Sequence, residues 1–282
     1  MKPVTKLILP VAGLGKRLMP LTKHTPKNLI LVNGKPLLEY TLEEAVASGI
    51  REVILVTNPK NRDQFKEYIR KNAKKFPTLT FHIRIQDTLG GNGHAVLQAY
   101  DLIVGESVAV RFCDDIIWGN QPVLRSLIEL FHHYKSSVVL LEQVPKKEVS
   151  RYGVAGFEKT KGATSSFLGG KVAKINKFVE KPKIKDAPSN LMVPGGYVLM
   201  PEVLRNFKAV ADVLPSVADD ALPMPVALQI ELIAGRTIYG WEFPGRRLDC
   251  GTLENLRKTE AFLKKYGHDD SGYDYRRGID NR

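Results

Sequence analysis

From Lys6 to Glu142 the chain alternates short apolar runs with stretches of helical spacing, and that rhythm restricts its fold more than any other feature. Lys6–Pro10, Glu52–Thr57, Leu79–Ile85, Val108–Phe112 and Ser137–Glu142 read as strands. Between them Pro36–Ser48 spaces apolar residues as a helix and stops at Gly49, and Lys60–Lys75 is a charged helical stretch. His94–Val104 and Val123–Tyr134 complete the helical set. Repeated strand-helix-strand order requires right-handed crossovers, hence an α/β fold with a mostly parallel sheet covered by helices on both faces.

After about residue 144 the rhythm changes. Val154–Phe157, Val172–Val179 and Gly196–Met200 read as strands in turn-rich surroundings. A helix near Val226–Ala234, a strand near Ile238–Phe243 and a closing helix over Leu253–Tyr266 follow. The expected organisation is a single domain over residues 1–266. Residues 1–144 form its first half, and 145–266 an insertion-rich second half. The polar tail 267–282 lacks apolar periodicity and is expected to be mobile.

Composition narrows the function classes. A formal charge of +12 invites an anionic ligand, but the basic residues are spread along the chain rather than gathered in one arm. Aromatic-basic clusters are absent, which argues against nucleic acid. The two cysteines, Cys113 and Cys250, are too few for a disulfide framework and lack the spacing of a zinc site. Each adjoins an aspartate and is expected to pack inward as a small apolar group. The apolar stretch in MKPVTKLILP is too short for a signal sequence, and no run is long enough to span a bilayer. A cytoplasmic protein is expected.

The motifs sit where strands give way to loops. The first strand runs into Gly13-Leu14-Gly15-Lys16-Arg17, a glycine-rich basic loop whose backbone N–H groups can meet phosphate. Leu18 stands where a dinucleotide fingerprint needs glycine, and no P-loop sequence occurs, so both of those nucleotide classes are disfavoured. Arg17 has the planar fork for phosphate oxygens, and Lys27 in TPKNL adds a point charge. Gln86 and the cluster Gly90-Gly91-Asn92-Gly93-His94 suit a base lying against backbone, with an amide reading its edge. Asp114 in RFCDD and Asp249 in RRLDCGT are candidate ligands of a hard cation, with Asp115 competing for the first position. Taken alone, each is as readily a loop aspartate capping a helix, the reading that Asp249-Cys250-Gly251-Thr252 before a helix invites most. Glu180-Lys181 before Pro182 is either a ligand pair or an exposed ion pair.

Taken in order, PVAGLGKRLMP, TPKNL, Gln86 with GNGHAVL, CDDII, RYGVAGF, FVEKPK, APSNLMVPGGYVL and LDCGT resemble the sugar-1-phosphate nucleotidyltransferases, from Leu7 to about Phe262. The branch most alike takes UTP and glucose 1-phosphate. The resemblance implies a Rossmann-like, nucleotide-diphospho-sugar transferase type of mixed sheet with a sugar-binding extension. It implies a nucleotide on Leu9, Ala12, Gly13, Gly15, Lys16, Arg17, Gln86, Gly91 and Asp114. It implies Mg²⁺ on Asp114 and Asp249, and a sugar phosphate on Gly153, Glu180, Lys181 and Asn190. Arg17, Lys27 and Lys181 would be the catalytic cations, in a homodimer or homotetramer acting on small molecules, with neither nucleic acid nor membrane as partner. A thymidylyltransferase and a non-catalytic regulatory protein are the alternatives. Two positions depart from the branch pattern: its threonine-aspartate pair falls at Val226-Ala227, and its base-side lysine at Gly90.

Overall fold

The computed structural model describes residues 1–88, 90–158, 164–213 and 222–266. The tail 267–282 lies outside the described residues. The chain forms two compact units, each assembled from separate stretches. One comprises Thr5–Asp87, Arg111–Arg125 and the chain from Gly245; the other comprises Met1–Val4, Thr88–Val110 and Ser126–Pro244.

In the first, glycine-loop unit, strands Lys6–Pro10, Glu52–Thr57 and Thr80–Ile85 pair in parallel, with Lys6 opposite Glu52 and Glu52 opposite Thr80. Parallel neighbours need crossovers, and helices Leu37–Ala47 and Arg62–Asn72 supply them. Leu7, Ile8 and Leu9 are fully buried, as are Val53 to Val56, as expected of strands covered on both faces. Helix Arg62–Asn72 buries only Phe65, so its charged positions form a solvated face. Burial of that one ring is worth about 2–3 kcal/mol.

A separate antiparallel pair, Asp115–Trp118 with Arg246–Asp249, was not expected from the sequence. The strand expected to end at Phe112 ends at Arg111, so Cys113 and Asp114 lie in the turn before that pair. The closing helix Leu253–Tyr266 lays Leu256 and Leu263 on a core with Leu18, Ile30, Tyr40, Ile116 and Leu248. Thr252 caps it, its Oγ1 accepting from Asn255 N at 3.2 Å. Such a cap contributes about 1 kcal/mol.

The second unit is richer in hairpins. Its strands pair mostly antiparallel in the order Thr164–Phe167, Gly170–Glu180, Gly153–Phe157, Leu191–Met192, Ser137–Gln143, Gly196–Leu199. Ile238–Glu242 pairs antiparallel with Gly170–Glu180 and parallel with Ser137–Gln143. The turn after Phe167 places Leu168 and Gly169 at φ 49° and 76°, the left-handed values that a tight hairpin demands. Helix Met224–Ile233 is joined to the long strand by Gln229, whose Oε1 accepts from Phe178 N at 2.7 Å.

Two helical expectations change. His94–Val104 is instead helix Gly91–Leu97, followed by a single tight turn at Tyr100–Leu102. The helix starts early because Gly93 N and His94 N donate to Leu222 O at 3.0 and 3.3 Å, a tertiary cap with no local signature. Helix Pro201–Val213 was not foreseen, although Val203, Leu204 and Phe207 give it a buried stripe.

Candidate functional site

In the glycine-loop unit, Gly13 to Arg17 follow the carboxyl end of strand Lys6–Pro10, and Gln86 follows that of Thr80–Ile85. The edge is the one where open α/β sheets take ligands. Leu9 is fully buried, so only its backbone can serve a ligand. Ala12 is also buried, and its carbonyl accepts from Asn58 Nδ2 at 2.7 Å, which fixes the exit into the loop. Gly15 has φ 63°, and a Cβ there would lie 2.8 Å from Thr22 Cγ2 and 3.2 Å from Lys27 Cβ. Glycine is required twice over at that position, by conformation and by space. Lys16 and Arg17 are exposed, and Gln86 is buried.

Four side chains pin the turn 112–115. Lys27 Nζ donates to Asp114 Oδ2 at 2.9 Å. Asn28 Nδ2 donates to Cys113 O at 3.0 Å and lies 3.1 Å from Cys113 Sγ. Arg111, fully buried, donates from Nη1 to Phe112 O at 2.6 Å and from Nη2 to Asp115 O at 3.4 Å. Arg247 Nη1 donates to Asp115 Oδ2 at 3.0 Å. The two adjacent aspartates therefore take their hydrogen bonds from different cations, Lys27 and Arg247.

Asp249 ends its strand opposite Asp115. Its Oδ1 accepts from Gly251 N and its Oδ2 from Asn255 Nδ2, both at 2.6 Å. A Cβ on Gly251 would lie 3.7 Å from Arg17 Nη2, so the guanidinium reaches the 249–251 turn. The structure thus gathers Arg17, Lys27, Asp114 and Asp249 within one unit. Sequence reasoning missed Asn28, Arg111, Arg247 and Asn255, which hold these groups. The one available signal was an arginine at the end of the apolar run Val108–Phe112.

Electrostatics separate the carboxylates. Burial alone would raise Asp114, but Lys27, Arg111 and Arg247 outweigh it and hold its carboxyl below the ordinary aspartate range. Asp115 goes the other way: burial, then the charge of Asp114, pushes its carboxyl up to about 7 against the pull of Arg247. Burial opposes the charge on Lys27, yet Asp114 lifts its pKa above the usual lysine value. Cys113 is a free thiol pushed up to about 12 by burial, and Cys250 is raised for the same reason. Both are packed inward and inert.

The donor set fits a hard divalent cation. Asp114 and Asp249 offer oxygen only, and the Asp114 side chain is 39% exposed against 10% for Asp115. Among the described residues no group of three or more His, Cys, Asp and Glu stands ready to hold a metal. A site of two carboxylates must take its other ligands from phosphate and water, which is the Mg²⁺ pattern. Beside the opening loop lies a cavity of about 250 Å³, walled by Thr22, Lys23, His24, Lys60, Asn61 and Gln64 among others, with no carboxylate on its lining. Its field favours anions.

The sugar-side candidates belong to the second unit. Gly153 stands opposite Glu180, and a Cβ on it would lie 3.0 Å from Glu180 Oε2 and collide with the Pro225 ring. Lys181 has φ 43°, a left-handed backbone for a residue that rarely adopts one, and its N donates to Tyr152 O at 3.0 Å. Its Nζ lies 3.5 Å from Glu180 Oε1. Asn190 uses its amide locally, Nδ2 donating to Val144 O at 3.1 Å. Gly91, at φ 93°, lies against the Leu222 backbone, and Asn92 Oδ1 accepts from Met224 N at 2.7 Å.

Residues 6–265 match the nucleotidyl transferase family. The chain is 34% identical to a UTP–glucose-1-phosphate uridylyltransferase of Haemophilus influenzae over 98% of each. It is 30% identical to a uridylyltransferase of the same name from Pseudomonas aeruginosa, over 92% of this chain and 95% of that one. Among solved structures, a UDP-glucose pyrophosphorylase complexed with UDP-glucose superposes with a TM-score of 0.79 at 30% identity, covering 93% of this chain and 99% of the other. The UTP-bound enzyme of Acinetobacter baumannii gives 0.74 at 26% identity over 99% of each. No helix among the described residues is long and apolar enough to cross a membrane. With this likeness over nearly its whole length, the chain belongs to the nucleotidyl transferase family.

Proposed function

We propose that the protein transfers a uridylyl group from UTP to glucose 1-phosphate, giving UDP-glucose and pyrophosphate. The observation that carries this reading is the pairing of Lys27 with Asp114 across 87 positions of sequence, in the unit that also holds Arg17 and Asp249. The uridylyltransferases that match it over more than nine-tenths of its length support the choice of substrates.

The nucleophile is a phosphate oxygen of the sugar phosphate, largely ionised at neutral pH because its second pKa is about 6. It forms a bond to the α-phosphorus of UTP as the bond to the bridging oxygen of pyrophosphate breaks. No general base is required, and none of the six histidines is needed for one. The difficulty is charge. Like unit charges at about 4 Å repel by about 1 kcal/mol in water and several-fold more in a drier site. Mg²⁺, when bound at Asp114 and Asp249, supplies positive charge to the phosphate oxygens. Lys27 spends one of its donors on Asp114 and keeps the others for phosphate. Arg17 offers its fork to the triphosphate, and Lys181 takes the phosphate of the sugar. Positioning and neutralisation carry the rate.

The test is pyrophosphate release by purified protein from a panel of nucleoside triphosphates and sugar 1-phosphates with Mg²⁺. Turnover is expected for UTP with glucose 1-phosphate and is expected to disappear with EDTA. Turnover of dTTP alone would move the protein to the thymidylyltransferase reading, and no turnover of any pair by folded protein would refute the enzyme.

A further inference from the structure

Arg111 is the largest fully buried side chain among the described residues. It follows Val108, Ala109 and Val110, each fully buried. A charge in such a place needs a reason, because burial penalises an ion and a buried pair is weak evidence for stability. The pairing here is imperfect. Glu44 Oε2 lies 3.6 Å from Arg111 Nε, and that Nε finds no hydrogen-bond acceptor among the described residues. What the guanidinium does achieve is local. Its two terminal nitrogens donate to Phe112 O and Asp115 O, the carbonyls that bracket Cys113 and Asp114. Glu44 is itself fixed, since its Oε1 accepts from Leu124 N at 2.8 Å in the first turn of helix Val123–Tyr134. Arg125 donates to Ala47 O and ties that turn to the helix carrying Glu44.

We propose that Arg111 is a positioning residue: anchored by Glu44, its guanidinium sets the turn 112–115 so that the Asp114 carboxylate meets Lys27 and stays presented to the divalent cation. The inference rests on the uridylyltransferase reading above. A leucine at 111 fills the same core but takes away the two guanidinium bonds to Phe112 O and Asp115 O, and the turn then relaxes with Asp114 in it. Asn28 and Arg247 still hold Cys113 O and the Asp115 carboxylate, but the Asp114 carboxylate itself is then met only by Lys27, a head on a flexible stem that follows its partner.

The test compares wild type with R111L/E44Q and R111K. The double variant removes both charges of the buried pair, and its glutamine still accepts from Leu124 N, so it is expected to fold with a single cooperative transition. Mn²⁺ binding is read by electron paramagnetic resonance in the presence of UTP without sugar phosphate. The expected result is Mn²⁺ affinity weakened by about tenfold to hundredfold in R111L/E44Q and partly restored in R111K. The KM for glucose 1-phosphate at saturating metal should stay within about twofold, since the sugar phosphate is bound by other residues. Unchanged Mn²⁺ affinity in the folded double variant would overturn the positioning role alone. Wild-type protein that binds no Mn²⁺ with UTP would overturn the functional reading and this inference with it.

Discussion

Asp249 stands opposite Asp115 in the antiparallel ladder, while the neighbouring Asp114 is the residue paired with Lys27. One aspartate of the pair is thus enclosed by protein and the other is presented at the turn. Asp115 is sealed against Arg247 with about one-tenth of its side chain exposed.

Asp114→Asn is therefore expected to lower turnover by roughly a hundredfold or more, the scale of losing one well-placed electrostatic contact to the reacting groups. Asp115→Asn should keep most of the turnover and change stability by only about 1 kcal/mol, because the charge-assisted hydrogen bond from Arg247 becomes one to a neutral amide. Pyrophosphate release and urea denaturation on both variants separate the two. Activity lost chiefly at 115 would reverse the assignment.

Asp249→Asn tests the other carboxylate. The aspartate accepts from two donors, Gly251 N and Asn255 Nδ2. An amide can accept from only one side, so about 1 kcal/mol of stability is lost with one of these bonds. Turnover should fall far more than that destabilisation explains, and excess Mg²⁺ should recover only part of it. Full recovery at moderate Mg²⁺ would make Asp249 a turn residue and nothing more.

Much of this was legible before the structure. Strands Lys6–Pro10 and Glu52–Thr57 and helices Val123–Tyr134 and Leu253–Tyr266 have the expected bounds, because apolar periodicity and burial agree there. The readings that failed depend on partners remote in sequence. Helix Gly91–Leu97 starts where Leu222 O caps it, 131 positions from Gly91, and nothing near the glycines announces that. Strand Asp115–Trp118 exists because Arg246–Asp249 pairs with it. At the site, glycines and charges in loops were visible as types. The groups that orient them were not, since Asn28 looks like any loop asparagine until Cys113 O is found beside it.

Lys181 holds a left-handed backbone that glycine adopts without strain. Lys181→Gly should be at least as stable as wild type, as the relief of about 1–2 kcal/mol offsets the entropy cost of glycine. Use of glucose 1-phosphate should nevertheless fall about ten- to hundredfold, as expected for losing a charge-assisted contact. Arg17→Ala should do the opposite, weakening UTP binding more than sugar-phosphate use. Separate titrations of the two substrates decide this, and equal losses for both in both variants would contradict the division of roles.

Gly153→Ala probes the sugar side without touching a charge. The new methyl meets the stiff Pro225 ring and crowds Glu180 Oε2. The Glu180 carboxylate can swing aside but the Pro225 ring cannot yield without a backbone shift, so about 1–3 kcal/mol of stability is expected to be lost. The displaced Glu180 should raise the KM for glucose 1-phosphate while UTP binding measured by calorimetry is unchanged. Loss of UTP binding in a folded variant would count against the assignment of Gly153 and Glu180 to the sugar phosphate.

Glu231, on helix Met224–Ile233, is fully buried, and burial raises its pKa above 4.5. Its Oε2 accepts from Asn206 Nδ2 at 3.2 Å and lies 3.5 Å from Arg236 Nε, while Oε1 has no hydrogen-bond partner among the described residues. An acid whose pKa is raised by folding contributes stability that is complete below its unfolded pKa and is lost as pH rises through the folded value. Glutamine at 231 keeps an acceptor for Asn206 and carries no charge to bury. Glu231→Gln should therefore match wild type near pH 4 and gain on it as pH rises, by on the order of 1 kcal/mol at pH 7. Denaturant unfolding of both proteins across that range checks the slope. A difference that stays constant with pH, or that favours wild type more at pH 7 than at pH 4, would show that Arg236 outweighs burial at this position.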